Sequence, residues 1–260
     1  MKINVNPRLL KYLVLGAGGL GLVLRILLYT TGTDEKGLLI PGHWAGVCIW
    51  LLTAAVAAAV LLFTRALEGP EEYRDCCPVS IPAGLGAFAA ALGILAASIS
   101  EMGSAAVPVQ RVTWIFGFLT AAALVVAGLC RLTGAKAYFL LHASVSVYFA
   151  LRMVSQYQRW SADPQLMDYC FYLTACVALM LTGYHQAAFA AELGKHRSLW
   201  RLSLTAVYLC CLSLVGSRDT LLMLTCGIWA FTNLTSLTPR PRRQRPALIL
   251  EVETTEQQQP

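Results

Sequence analysis

Charged residues are scarce in this sequence. Asp, Glu, Lys and Arg together make up 13% of the 260 residues, against about 25% in a typical soluble domain. Hydrophobic residues reach 57%, and the mean hydropathy is +0.60. So few charges, spread between long apolar runs, exclude an ordinary soluble domain and predict an integral membrane protein that contacts the lipid bilayer.

The sequence also lacks the motifs of the common enzyme and cofactor sites. H-E-x-x-H, G-x-S-x-G and the phosphate-binding loop with its lysine are absent. His142 and His185 differ in depth by several residues, and no third ligand stands at metal spacing with them. We therefore predict no catalytic residue, no cofactor and no metal, while an enzyme embedded in the membrane and acting on lipid stays open as a third possibility.

One glycine-rich segment matches the sequence motif of dinucleotide-binding sites. Residues 16–21, Gly-Ala-Gly-Gly-Leu-Gly, match G-x-G-x-x-G. That motif binds a dinucleotide only between a strand and a helix, with an acidic residue about 20 positions later. Here it lies midway through an apolar run, and the next acids, Asp34 and Glu35, come too early. We interpret it as a helix-packing surface of small residues.

The nine cysteines and the net charge of +6 exclude two further classes. Seven of the cysteines lie inside apolar runs, where Cys behaves as a small hydrophobe, so no disulfide framework is predicted. The basic residues lie between apolar runs and form no contiguous basic face, so no nucleic-acid partner is predicted.

Eight apolar runs are long enough, or nearly so, to cross a bilayer, which takes about 20 residues in a helix. We predict an all-α, polytopic bundle of about eight transmembrane helices over residues 9–30, 43–64, 80–100, 109–130, 135–156, 165–193, 199–215 and 220–237. Because residues 216–219 alone separate the last two runs, seven spans is the alternative.

The distribution of lysine and arginine predicts the orientation. These residues are enriched in cytosolic segments. With a cytosolic N-terminus, fourteen of the twenty fall in inner segments, four fall in outer ones, and Arg25 and Arg152 lie within spans. The bias predicts a multi-pass protein of the cell membrane with both termini in the cytosol.

The domain organisation follows from the spans. Residues 1–238 form a transmembrane domain, and residues 239–260 form a disordered cytosolic tail, first basic and then polar. Residues 240–245 hold four arginines and are a candidate site for anionic lipid. Arg25 and Arg152 lie at similar depths in spans 127 positions apart. Halves 1–131 and 132–238 are therefore a possible pair of parallel four-helix repeats.

Arg25 and Arg152 are the principal candidate site residues, because charged side chains within spans are costly and often functional. In one interpretation they extend outward or pair with Glu101, Asp163 or Asp168, near the outer helix ends. In the other, they line an outward-facing vestibule with Tyr148 and attract an anionic group, which the planar guanidinium binds with two hydrogen bonds.

A second polar group is predicted in the inner half, where His142, His185 and Glu192 are candidates for a proton relay or for hydrogen bonds between helices. Two functions follow from the sequence. The first is a small-solute transporter with an arginine-lined cavity. The alternative is a non-transporting scaffold, sensor or accessory subunit, with a membrane-protein partner or a second copy bound to a face of small residues, for instance residues 54–60 or 84–93.

Overall fold

The computed structural model describes residues 7–33, 39–40, 42–65, 67–68, 77–103, 108–160, 169–216, 219–237 and 240–241. These residues form eight helices and one two-residue strand pair. The helices are α1 Pro7–Thr31, α2 Trp44–Thr64, α3 Ile81–Met102, α4 Pro108–Thr133, α5 Phe139–Trp160, α6 Cys170–Ala190, α7 His196–Leu212 and α8 Thr220–Ser236.

The all-α membrane fold is confirmed. Five of the helices, α1, α2, α3, α4 and α6, are long and apolar enough to cross a membrane. The other three, α5, α7 and α8, are more polar or shorter, and α7 and α8 have 17 residues each. The helix ends lie within a few residues of those predicted wherever the structure describes them. Inner and outer are used here for the two ends of the bundle as the charge bias predicts them.

Six of the helices close a ring. Helix α3 contacts α4 and α8, and the circuit continues through α4–α5, α5–α6, α6–α7 and α7–α8. Helices α1 and α2 contact each other and lie against α7 outside the ring. They are therefore the helices most exposed to lipid. In the most apolar stretch of each helix, 22% of the residues of α1 and 17% of those of α2 are buried, against 56% in α3 and in α6.

Glycines set the close approach of α3 to α8. A Cβ atom on Gly86 would lie 2.0 Å from Thr232 Oγ1, and one on Gly93 would lie 1.9 Å from Thr225 Oγ1. The seven-residue spacing puts both contacts on one face of each helix. The small residues of segment 84–93 are thus largely buried against α4 and α8, and the exposed side chains there are Leu85 and Leu92. The expectation that the small residues form an exposed partner face is wrong.

The glycine motif of α1 packs through two of its four members. Gly18 contacts Cys211 and Gly21 contacts Leu212, both on α7, whereas a Cβ atom on Gly16 or Gly19 would meet nothing within 4 Å. Spacing of i and i+3 places Gly18 and Gly21 on the same side of α1. The motif lies within a helix, as its interpretation as a packing surface requires.

The strands join the chain segments beyond α2 and α8. Leu67–Glu68 (β1) pairs antiparallel with Arg240–Pro241 (β2), so the predicted disordered tail begins with a paired strand. Residues 242–260, including the rest of the arginine-rich segment, lie outside the described residues. The repeat relating residues 1–131 to 132–238 stays a prediction.

Candidate functional site

The most highly connected buried charge is Arg152, near the outer end of α5. Its side chain is fully buried. Nη2 lies 2.8 Å from Asp219 Oδ1 and Nη1 lies 3.3 Å from Glu101 Oε2. Nε donates to the Tyr172 hydroxyl at 2.9 Å and Nη1 donates to the Tyr148 hydroxyl at 3.0 Å. Each guanidinium nitrogen therefore contacts at least one oxygen of the chain.

The partners of Arg152 also bind one another. The Tyr172 hydroxyl donates to Asp219 Oδ2 at 2.7 Å. Gln156 Nε2 donates to Glu101 at 3.4 Å and to Asp219 at 3.5 Å. We call these six residues, Arg152, Glu101, Asp219, Tyr148, Tyr172 and Gln156, the outer cluster. It joins α3, α5, α6 and the start of α8 at the outer end of the ring.

The outer cluster contains charges of both signs. One guanidinium faces two carboxylates, and both acids are largely buried. Attraction between buried opposite charges is strong because little solvent screens them, but removing one partner leaves a charge that is costly to bury. The cluster thus ties four helices together and closes the outer part of the ring interior with charged and phenolic groups.

The structure brings three of the predicted outer residues together, namely Arg152, Glu101 and Tyr148. Arg25 is buried elsewhere, with its guanidinium carbon 5.7 Å from the ring centre of Tyr29 and 5.1 Å from that of Phe171. Such distances are typical of cation–π contacts. Asp168 lies outside the described residues.

The three predicted inner residues have separate environments. His142 is buried in α5, and its Nδ1 has no hydrogen-bond partner among the described residues. His185 is half-buried and packs edge-on against Tyr184. Glu192 lies exposed in the turn after α6, where it accepts a hydrogen bond from Lys136 in an ion pair.

The sequence analysis did not identify Asp219, which lies closest to Arg152, or Tyr172 as site residues. Asp219 directly precedes α8, and its acidic side chain at the predicted outer end of that helix was a signal that the sequence analysis could have used. The position of Tyr172 gave none, since a tyrosine at that depth is also common at a lipid-facing surface.

A second buried guanidinium, Arg131, lies in the last turn of α4 at the inner end. It donates to Ser236 Oγ at 2.8 Å, Asn233 Oδ1 at 3.4 Å and the Pro78 carbonyl at 3.5 Å. All three acceptors are neutral, and among the described residues no carboxylate forms an ion pair with Arg131. His142 on α5 lies within range of the Arg131 charge.

Helix α7 contributes a stripe of buried polar side chains in the same half. His196, Trp200 and Ser203 are each at least nine-tenths buried, and both imidazole nitrogens, the indole N–H and the hydroxyl have no described hydrogen-bond partner. The spacing of i, i+4 and i+7 places them on one face. Gln186 on α6 adds a buried, unpartnered side-chain oxygen. Most buried polar groups in proteins are hydrogen-bonded, so this concentration is unusual.

Two half-open cavities flank α7 outside the ring. One, of about 240 Å³, lies between α1, α7 and α8 and is lined by residues such as Leu15, Cys211 and Phe231. The other, of about 200 Å³, lies between α2, α6 and α7 and is lined by residues such as Trp50, Phe171 and Tyr208. Both are almost entirely apolar, and neither is lined by Arg25 or Arg152, so they are suited to acyl chains and not to a polar solute.

The described residues contain no group of three or more His, Cys, Asp or Glu side chains arranged to hold a metal ion. The eight described cysteines are unpaired thiols. Comparison of the chain with protein-family models, with curated proteins and with solved structures found no match. The site therefore has to be interpreted from its own geometry, within a helical membrane protein.

Proposed function

We propose that this protein moves a small polar solute across the cell membrane, with both termini in the cytosol, and that the structure has the outer side of its pathway closed. The observation that carries the proposal is that every helix of the six-helix ring has at least one buried polar side chain. Glu101, Arg131, Arg152, Gln186, Ser203 and Asn233 come from α3, α4, α5, α6, α7 and α8 respectively, and all are buried. Buried ionisable groups that face the interior of a membrane bundle usually mark a solute or ion pathway.

The outer cluster supports a gate in place of the predicted outward-facing vestibule. Its guanidinium contacts chain carboxylates, so an external anion would have to displace Glu101 or Asp219. Opening the outer side requires these contacts between α3, α5, α6 and α8 to separate. No residue is assigned a catalytic role, in keeping with the absence of enzyme motifs.

Uptake into proteoliposomes tests the proposal. Purified protein is reconstituted, and labelled small solutes grouped as anionic, neutral and cationic are offered at both faces. We expect one group to accumulate above protein-free liposomes. Glu101→Gln, which keeps the Arg152–Asp219 pair, should change the uptake rate at least threefold, whereas the exposed control Lys136→Gln should leave it unchanged. Failure of every group to accumulate would remove the proposal.

A scaffold or accessory subunit is the second candidate, favoured by one observation. Ala54, Ala55, Ala57 and Ala58 are exposed on α2, and small residues allow close approach of a second helix. Purification from the native membrane in mild detergent separates the two functions. A stoichiometric partner lost on replacing Ala54 and Ala58 with Leu favours the scaffold, and an isolated protein with uptake activity favours the transporter.

A further inference from the structure

We infer that Arg131 is the centre of an inner binding site for a small oxyanion, a molecule with a carboxylate or phosphate group. Its side chain is 7% exposed, and its described partners are the neutral oxygens of Pro78, Asn233 and Ser236. Arginine stays protonated, and burying a charge that lacks a counter-charge is costly. A bound oxyanion supplies the missing charge.

Three further buried side chains in the inner half, on α5 and α7, can bind the same ligand through hydrogen bonds. His142 lies within range of the Arg131 charge and has a buried Nδ1 without a described partner. Trp200 offers an indole N–H, which can only donate, and Ser203 offers a hydroxyl. Both are buried and unpartnered among the described residues. A ligand rich in acceptor oxygens satisfies such a set.

Helix register places Ser203 of α7 at the depth of Arg131. A Cβ atom on Gly227 of α8 would lie 3.1 Å from Cys210 Cβ on α7. The two helices are antiparallel, so seven residues further inward on each brings Leu234 level with Ser203, and Asn233 adjoins that level. Asn233 binds Arg131 directly. Ser203 and Arg131 therefore lie at the same depth in the inner half, with Trp200 one turn closer to the inner end.

The oxyanion has two possible sources, a soluble anion entering from the inner face and the headgroup of an anionic lipid. The soluble source fits a transported solute, and that identification rests on the proposed function. The existence of the binding site does not rest on the proposed function, because Arg131 could bind a lipid phosphate in a protein that transports nothing.

Thermal unfolding of the delipidated full-length protein in neutral detergent tests the site. Inorganic phosphate, acetate and short-chain phosphatidylglycerol are each titrated against chloride at equal ionic strength. We expect at least one oxyanion to raise the melting temperature and Arg131→Gln to weaken that response at least tenfold. Arg201→Gln is the matched control. Arg201 is also an arginine of the inner half, but it donates to the hydroxyl of Thr64 on α2, a helix outside the ring.

Asn233→Asp keeps the test decisive if Arg131→Gln does not fold. It places a carboxylate where an amide oxygen now lies 3.4 Å from Arg131, so the variant should be more stable without ligand and should lose the oxyanion response. A wild-type protein that responds to no oxyanion, or an Asn233→Asp variant that responds like wild type, overturns the site.

The outcomes also separate this inference from the proposed function. A response to phosphatidylglycerol alone assigns the site to a lipid headgroup, and a response to phosphate or acetate assigns it to a soluble anion. Binding without uptake into proteoliposomes supports the site and removes the transport proposal. Uptake that is unaffected by Arg131→Gln and Asn233→Asp supports transport and removes the site from it.

Discussion

Arg152 carries the largest energetic consequence of any single side chain in the outer cluster. Replacing it with Gln removes the guanidinium that pairs with both Glu101 and Asp219, two largely buried acids. We expect a loss of about 3–5 kcal/mol of stability, as for other broken buried ion pairs. Unfolding in detergent with increasing SDS measures it. Tyr148→Phe, which removes one neutral hydroxyl partner, should cost only about 1 kcal/mol; an equal loss in both variants would contradict this account.

Glu192, unlike Arg152, is an exposed charge, and its ion pair with Lys136 affects the pKa of Glu192 more than the stability of the protein. The hydrogen bond from Lys136, and then its charge, hold the pKa of the Glu192 carboxyl below its ordinary value. A lowered folded-state pKa means that this pair stabilises the protein above the ordinary glutamate pKa, about 4.3, and that the contribution is lost as pH falls through the folded value.

The expected result is a pKa that returns to the ordinary range in Lys136→Gln, with little change in stability, because solvent and salt screen an exposed pair. Carbon NMR of the labelled carboxyl group during a pH titration measures it, and 0.5 M salt should produce part of the same rise in the wild type. A pKa of Glu192 that stays low in the variant would show that another group binds it.

At the scale of helices, the α3–α8 contact depends on the absence of two side chains. Gly93→Ala would put a methyl group 1.9 Å from Thr225 Oγ1, and that hydroxyl is itself bound to the Leu221 carbonyl at 2.9 Å. We expect a destabilisation of about 1–3 kcal/mol, the usual cost of overpacking. Gly16→Ala on α1 is the control, because the new methyl meets nothing and the helix propensity improves by up to about 1 kcal/mol.

The helices themselves were predictable from the sequence, and most of their contacts were not. Apolar length and breaks located all eight helices, and residue depth suggested that Arg152 would lie near Glu101. The pairing with Asp219 depends on α8 closing the ring against α3, and no local pattern encodes that neighbour relation. Nothing in the local sequence distinguishes Arg131 from the other arginines at the predicted inner end. Its partners Asn233 and Ser236 lie more than 100 positions away along the chain.

For the whole molecule, the orientation and the number of crossings are linked. Helices α7 and α8, at 17 residues each, are about 25 Å long, slightly short of a hydrocarbon core of about 30 Å. Both helices can still cross if the bilayer thins locally, because Arg201 lies near the predicted inner end of α7 and Asp219 lies at the predicted outer end of α8. Eight crossings put the two termini on the same side, and seven put them on opposite sides.

Reporter fusions in a bacterial host decide between these cases. A fluorescent protein that matures only in the cytosol should fluoresce when fused after residue 238, and alkaline phosphatase, active only outside, should be active when fused after residue 160. The lysine and arginine bias toward the inner segments is the physical reason. Phosphatase activity at residue 238 would show that α7 and α8 do not both cross. Arg131 and the buried polar residues of α7 would then no longer lie in the same half of the membrane. The proposed oxyanion site would be contradicted together with the eight-crossing topology.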